Sequence, residues 1–199
     1  MKLLRLFNRW DTSTVKVNDV SLREYINLDA VVVPRTGGRN NKTRVWGKKT
    51  NVVEKLMNKL MVSGHRGRKH KLTSGHNTGK SIKLYNIVYR ALNIVEKNTN
   101  KNPIEVFVKA IENAAPREEI TTIEYGGARY PQAVDCSPLR RLDLALRIMA
   151  QGAYTKSFKN KKRIEEALAE EIIKAYNNDN TSTAIAKRIE VERQAESSR

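Results

Sequence analysis

NPIEVFVKAIENAAPREEITTIEYGGARYPQAVDCSPLRRLDLALRIM, residues 102–149, is the stretch of sequence that decides the fold. Asn102-Pro103 supplies an N-cap and a proline at the first helical position, which predicts a helix. β-compatible runs follow around Gly126-Gly127, a pair suited to the positive φ angles of a two-residue hairpin turn. Ser137-Pro138 then starts a second helix by the same rule. The stretch therefore predicts helix, hairpin and helix, in this order.

The predicted hairpin covers residues 120–135 and does not resemble part of a core. Neither of its faces is consistently apolar, and a lone two-stranded ribbon is marginally stable in water. We therefore expect an arm that projects towards a partner. Tyr125 and Tyr130 flank its tip, where each ring can either stack on an unpaired base or pack against the protein. The same two alternatives are open for Trp10 and Trp46.

Outside this stretch, caps and apolar spacing predict further amphipathic helices. One starts at about Asn51 and ends at Ser63-Gly64, and the next begins at Ser81. Two more are expected beyond the helix that starts at Pro138, from about residue 160 to 175 and from near residue 181. In the helix after Pro138 we expect Leu139, Leu142, Leu146 and Met149 to face inward and Arg140, Arg141 and Arg147 to lie largely on other faces.

These elements predict a mainly α fold, a bundle of about six helices with a protruding β-hairpin arm and a basic N-terminal extension. Residues 1–50 are expected to form that extension and to be ordered partly by RNA. Residues 51–199 are expected to form a single helical domain that carries the arm. A chain of 199 residues with 39% hydrophobic content is long enough to bury such a core.

The net charge of +17 is concentrated in one part of the chain. Residues 35–90 contain fifteen Lys and Arg but one acid, Glu54, whereas the rest of the chain is nearly balanced. This surplus indicates a polyanionic partner. Residues 34–49 and 63–80 are rich in Gly, Asn, Ser and cations, which predicts loops that become ordered against that partner. A solvated basic surface that serves solubility is the alternative.

Sites for catalysis or for a metal are not indicated, and we expect no enzyme activity, no metal and no cofactor. Cys136 is the single cysteine, so neither an intrachain disulfide nor a cysteine-based zinc site can form. SGHNTGKS, residues 74–81, lacks the first glycine and the preceding buried strand of a phosphate-binding P-loop. The longest apolar run, residues 30–33, is too short to span a membrane. We also expect no obligate homo-oligomer.

Two other classes of protein are alternatives to an RNA-binding scaffold. A DNA-binding helix-turn-helix protein would use residues 137–149 as its recognition helix, but it would need a tight helix pair and a dimer surface. An RNA-processing enzyme would need convergent acids, histidines or a metal within the basic region. Glu54 is the only acid there, and the three histidines lie among cations with no nearby carboxylate or thiolate.

Several long stretches resemble a known family. They are NPIEVFVKAIENAAPREEI, the Gly-Gly hairpin with QAVDCSPLRRLDLALRIM, KKRIEEALAEEIIKAYNN and TSTAIAKRIEVERQAESSR. Together they resemble the universal small-subunit ribosomal protein seven. LFNRWDTSTVKVNDVSLREYI, residues 6–26, looks like the archaeal and eukaryotic branch of that family. The resemblance spans nearly the whole chain.

The resemblance implies a structural constituent of the cytoplasmic small ribosomal subunit, located in its head. It implies binding to the 3′ major domain of small-subunit rRNA, a part in starting head assembly, and neighbouring small-subunit proteins as partners. The hairpin is expected near the exit-site tRNA and the mRNA path. Residues expected to bind rRNA are Arg35, Arg39, Lys42, Arg44, Lys48, Lys49, Arg66, Arg68, Lys69, Lys71, Lys80, Arg117, Arg140 and Arg141. Residues expected at the hairpin tip are Tyr125, Gly126, Gly127, Arg129 and Tyr130.

Overall fold

Helices form most of the fold in the computed structural model, which describes residues 4–39, 49–66, 69–70 and 80–199. Its helices are α1 (Val20–Arg23), α2 (Val52–Met61), α3 (Ser81–Thr99), α4 (Pro103–Ala114), α5 (Pro138–Ser157), α6 (Ile164–Tyr176) and α7 (Thr183–Glu196). Its strands are β1 (His65–Arg66), β2 (Lys69–His70), β3 (Glu118–Tyr125) and β4 (Ala128–Asp135). The mainly α fold with a β-hairpin arm is confirmed, and α1 is a single turn that the sequence did not predict.

The helix starts that were predicted from caps are confirmed for α2, α3 and α4. The Asn51 side chain accepts a hydrogen bond from the Val53 amide at 2.9 Å. Asn102 accepts one from the Ile104 amide at 3.0 Å, and Pro103 follows it at the first helical position. These bonds satisfy amides that have no acceptor within their own helix. The starts of α2 and α4 are therefore determined by short-range sequence.

The helices α6 and α7 start later than predicted, at Ile164 instead of residue 160 and at Thr183 instead of residue 181. Turn and bend residues come between each of these helices and the one before it. Lys159 adopts a left-handed backbone conformation with φ of 54° between α5 and α6. Asp179 accepts hydrogen bonds from the amide and the hydroxyl of Thr181, which holds Thr181 in a turn ahead of α7.

The hairpin arm is two residues longer at its base than predicted. Its antiparallel pairing runs without interruption from Glu118 opposite Asp135 to Tyr125 opposite Ala128. Gly126 and Gly127 form the turn with φ values of 58° and 82°. Residues other than glycine rarely adopt this backbone conformation, so the Gly-Gly pair fixes the position of the turn.

The central helix of the core is α6, which packs against α3, α4 and α5. Ala167, Leu168, Ile172 and Ala175 of this helix are fully buried. Small alanine side chains allow the neighbouring helices to approach closely. On the two sides of this core, α2 packs on α3 and α5, and α7 packs on α5 and on the base of the hairpin.

Residues of the N-terminal segment also belong to the core. Leu6, Phe7, Trp10 and Leu22 are buried. The Phe7 ring lies 4.8 Å from the ring of Tyr85 on α3, between centroids, and contacts Trp10 edge to face. For Trp10 the structure therefore shows packing against its own domain. These side chains lack helical or strand period, which is why their burial was not apparent from the sequence.

Two side chains of α5 are not where their spacing predicted. Leu142, Leu146 and Met149 are buried as predicted, but Leu139 is 39% exposed. Arg141, which was predicted to lie away from the core, is only 7% exposed. The predictions for Leu139 and Arg141 were therefore wrong, and both residues matter for the surface described below.

Candidate nucleic-acid interface

The structure gives different positions to the residues that were expected to bind RNA. Lys42, Arg44, Lys48, Arg68 and Lys71 lie outside the described residues, as does Trp46. The backbones of Arg66 and Lys69 pair with each other across the short β1–β2 ladder. The side chains that are exposed to solvent are those of Arg35, Arg39, Lys49, Lys80, Arg117 and Arg140.

Cations from α2 and α5 face each other across the surface of the bundle. The Lys59 ammonium lies 2.7 Å from the Asp143 carboxylate, and Arg147 contacts the same carboxylate at 3.1 Å. Arg140 forms an ion pair with Glu119 at the base of the hairpin. These acids hold the cations in defined positions, and the side chains of Arg140 and Arg147 remain about half exposed.

Lys55 lies at one side of this surface, where its ammonium donates a hydrogen bond to the Tyr25 carbonyl at 2.7 Å. Burial lowers the pKa of Lys55 to about 8, although the nearby Asp143 carboxylate opposes that shift. A nearby anion favours the charged form of an amine. Lys55 is one of the fifteen basic residues between residues 35 and 90, but its partial burial could not be read from the sequence, because its environment comes from α2, α5 and the N-terminal segment together.

The adjacent residues Arg140 and Arg141 point in different directions. Arg140 is exposed, whereas the Arg141 guanidinium donates to the Pro116 carbonyl at 3.0 Å and to the Asp19 carboxylate at 2.8 Å. A third hydrogen bond connects Arg141 with the Ser21 hydroxyl. The guanidinium of Arg141 is thus used inside the protein, where it joins the N-terminal segment to α5.

The hairpin projects with both of its faces exposed along its outer half. Tyr125 is 82% exposed and Tyr130 is 59% exposed, so neither ring packs in the core. Arg129 is also exposed beside them and forms an ion pair with Glu124. The structure brings all five residues of the predicted tip together at one end of the molecule.

The base of the arm is attached to the bundle by hydrogen bonds. The Cys136 amide donates to the Arg117 carbonyl at 2.8 Å. The Arg117 amide in turn donates to the Glu192 carboxylate of α7 at 3.0 Å. Burial raises the pKa of the Cys136 thiol to about 11, and the Glu119 carboxylate adds to that shift. Since a thiol needs to lose its proton to act as a nucleophile or a metal ligand, Cys136 is suited to packing.

Among the residues that the structure describes, no group of three or more His, Cys, Asp or Glu side chains could hold a metal ion. Within the same ranges, no helix combines the length and the apolar character needed to cross a bilayer. The acids that accompany the cations of α2 and α5 are engaged in ion pairs with them.

Comparison with known proteins identifies the family of the chain. The family described as Ribosomal protein S7p/S5e matches residues 22–199. The chain belongs to this family. A protein of Nanoarchaeum equitans (strain Kin4-M), named small ribosomal subunit protein uS7, is 57% identical over 196 residues. That alignment covers 98% of this chain and 99% of the relative.

Membership of the S7p/S5e family confirms the resemblance that the sequence motifs carry, and the archaeal relative is consistent with the archaeal and eukaryotic branch. The family is structural and non-enzymatic. The chain is therefore a structural protein of the small ribosomal subunit, with ribosomal RNA and neighbouring ribosomal proteins as its partners.

Proposed function

We propose that the chain binds the 3′ major domain of small-subunit rRNA, helps start assembly of the subunit head, and places its hairpin near the exit-site tRNA and the mRNA path. The observation that carries this proposal is the division of the molecule into two parts. Exposed cations lie on α5 and on the segment before α2, with the partly buried Lys55 and Lys59 of α2 beside them, and the arm projects from between α4 and α5 with its tip clear of the bundle.

The cations supply an anchor for converging RNA helices. When Lys and Arg neutralise phosphates, condensed counterions are released, and the repulsion between RNA helices falls. The Arg140 and Arg147 guanidinium groups can each bridge two phosphate oxygens with their planar fork. The deep, narrow major groove of double-stranded RNA excludes side chains, so shape, phosphates and 2′-hydroxyls should dominate recognition.

The arm supplies a fixed spacer. Eight cross-strand pairs hold its two strands together, from Glu118 opposite Asp135 to Tyr125 opposite Ala128. Its base is held by α7 through Glu192 and by α5 through the ion pair of Glu119 with Arg140. Because the tip makes no core contact, its exposed tyrosines are free to meet a tRNA or mRNA base.

The anchor is tested by binding to a transcript of the 3′ major domain at a series of salt concentrations. The wild-type protein is compared with a variant in which Arg35, Arg39 and Arg140 are replaced by Ala. The variant should bind more weakly, and its affinity should depend less steeply on salt by about one unit of slope for each lost phosphate contact. An unchanged affinity and slope would exclude these residues from the interface.

A further inference from the structure

A groove of about 470 Å³ lies between α2 and α5, and its apolar lining, called its floor below, consists of Val62, Leu139, Leu142 and Leu144. Leu139 and Val62 line this groove and are 39% and 45% exposed, while Leu142 and Leu144 line it from deeper positions. Its volume falls within the range of about 300–1,000 Å³ that is typical of small-molecule sites. A surface that only held phosphates would not need exposed large apolar side chains among its cations.

The rim of the same groove is basic. Lys55 and Lys59 line it from α2, Arg140 and Arg147 line it from α5, and Asp143 is the one acid among the lining residues. Asp143 contacts both Lys59 and Arg147, so it orients two of the cations towards the groove. Four cations around one acid give the rim a charge that complements an anion.

We propose that this groove holds a single unstacked nucleotide of the ribosomal RNA. The base lies against Leu139 and Val62, and the flanking phosphates lie on the Lys and Arg rim. This proposal rests on the proposed function and specifies its chemistry at one place. Proteins that read RNA sequence do so mostly at unpaired nucleotides, whose bases can be splayed out against side chains. An apolar floor fits the base of such a nucleotide, and a cationic rim fits its flanking phosphates.

Leu139→Lys tests the proposal through the sign of its effect. The substitution adds a cation beside the RNA, so a groove that held only phosphates would bind the 3′ major domain transcript equally well or more tightly. With a base on the floor, the new ammonium group displaces it, and the affinity should fall about 5- to 10-fold. The salt dependence should not become shallower, because no phosphate contact is lost.

Ile189→Lys is the matched control. Ile189 is 41% exposed, nearly as much as Leu139, but it lies on α7 outside the groove. This variant should bind the transcript no more weakly than the wild-type protein does. An equal loss of affinity in both variants would show that a surface lysine disturbs binding in general, and it would overturn the proposal.

Chemical probing of the bases identifies the occupant. The wild-type protein should protect at least one unpaired base from dimethyl sulfate, and Leu139→Lys should lose that protection. Leu139→Ala removes the Leu139 side chain from the floor without adding charge, and it should expose the same base. If Leu139→Lys lowers the melting temperature, Leu139→Ala takes its place in the test. Both variants are checked for thermal unfolding without RNA.

Three results would separate the possible failures. Unchanged affinity and an unchanged footprint in both Leu139 variants would overturn the groove proposal and leave the RNA anchor intact. If naked-RNA binding stayed unchanged while the variant lost a neighbouring protein from purified subunits, the occupant would be a protein segment, which also overturns it. If the wild-type protein failed to bind the transcript, the proposed function itself would fail.

Discussion

The Arg141 guanidinium donates a 2.8 Å hydrogen bond to the carboxylate of Asp19, which lies 122 positions earlier in the chain. Burial works to raise the pKa of Asp19, but hydrogen bonds from Ser21 and Arg141 outweigh it and hold that pKa below its ordinary value. Arg141 also holds the Pro116 carbonyl just before the hairpin. One side chain thus joins the N-terminal segment, α5 and the base of the arm.

The adjacent arginines should separate folding from RNA binding. Arg141→Ala removes the donor to the Pro116 carbonyl and the cation beside Asp19, which keeps its hydrogen bonds from Ser21, so the free energy of unfolding should fall by about 2–3 kcal/mol. Arg140→Ala removes an exposed ion pair, which should change stability by less than about 1 kcal/mol, and removes one cation from the proposed anchor. Urea unfolding and RNA binding as a function of salt are measured on both variants.

For this pair, the salt dependence of RNA binding should become shallower in Arg140→Ala and stay as in the wild type in folded Arg141→Ala. If Arg141→Ala instead unfolded like the wild-type protein and lost affinity for RNA, the inward orientation of Arg141 would be contradicted.

Glu171 should make the stability of the C-terminal part depend on pH. This carboxylate is fully buried and accepts hydrogen bonds from the Ser182 and Thr183 hydroxyls and the Ala184 amide, at the start of α7. Lys156 donates to its other oxygen at 2.6 Å. Burial works to raise the pKa of Glu171, but the hydrogen bonds from Lys156, Thr183 and Ser182 outweigh it and lower the pKa.

A carboxyl group whose pKa is lower in the folded state stabilises the protein above its unfolded pKa and loses that contribution as the pH falls. The free energy of unfolding should therefore decrease as the pH falls below about 4.5. Glu171→Gln should cost about 1–3 kcal/mol at pH 7 and should flatten this decrease. Urea unfolding between pH 3 and 7 measures both effects, and an equally steep decrease in the variant would rule out Glu171 as its source.

Gly152 should be required for the contact between α5 and the start of α7. A Cβ atom at this position would lie well inside contact distance of the Thr183 hydroxyl and 3.3 Å from Cδ of Glu171. Thr183 cannot rotate away without losing its hydrogen bond to Glu171. We expect Gly152→Ala to lower the free energy of unfolding by about 1–3 kcal/mol.

The Thr183→Ala background provides the control for this clash. The cost of Gly152→Ala should be smaller there, because the hydroxyl that it meets is absent. A double-mutant cycle by urea unfolding measures the difference. Equal costs in the two backgrounds would mean that the Thr183 hydroxyl is not the obstacle.

RNA binding by the anchor should not depend on the structure of the hairpin tip. Replacing both Gly126 and Gly127 with Val forces β-branched residues into positive φ angles, which should disrupt the turn. The tip is exposed and does not pack in the core, so the melting temperature of the bundle should stay as in the wild type. The affinity for the 3′ major domain should stay within about twofold of the wild-type value. Circular dichroism and filter binding check this, and a loss of RNA affinity as large as in the anchor variant would show that the two parts act together.

Short-range sequence predicted the helix caps at Asn51 and Asn102 and the turn at Gly126-Gly127, because each depends on a few neighbouring residues. The inward orientation of Arg141 and the exposure of Leu139 were not predictable in this way. Arg141 finds its partner far away in the chain, and Leu139 lies in the first turn of α5, where the facing surface of α2 leaves a groove.

The sequence predicted which part of the chain is basic, but it did not predict how the side chains of the candidate site are arranged. Counting residues located the basic region between residues 35 and 90. It could not show that Lys55 and Lys59 of α2 face Arg147 of α5, since helices that are far apart in sequence form this surface.

Crosslinking of RNA to the protein in purified small subunits, followed by sequencing of the crosslinked RNA, tests the central claim most directly. We predict that the protein sediments with the small subunit. Crosslinks from the basic residues, including Arg66, Arg68, Lys69 and Lys71, should fall in the 3′ major domain of the rRNA, and those from the hairpin tip should fall on tRNA or mRNA. Absence of the protein from small subunits, or its recovery on free duplex DNA, would contradict the account.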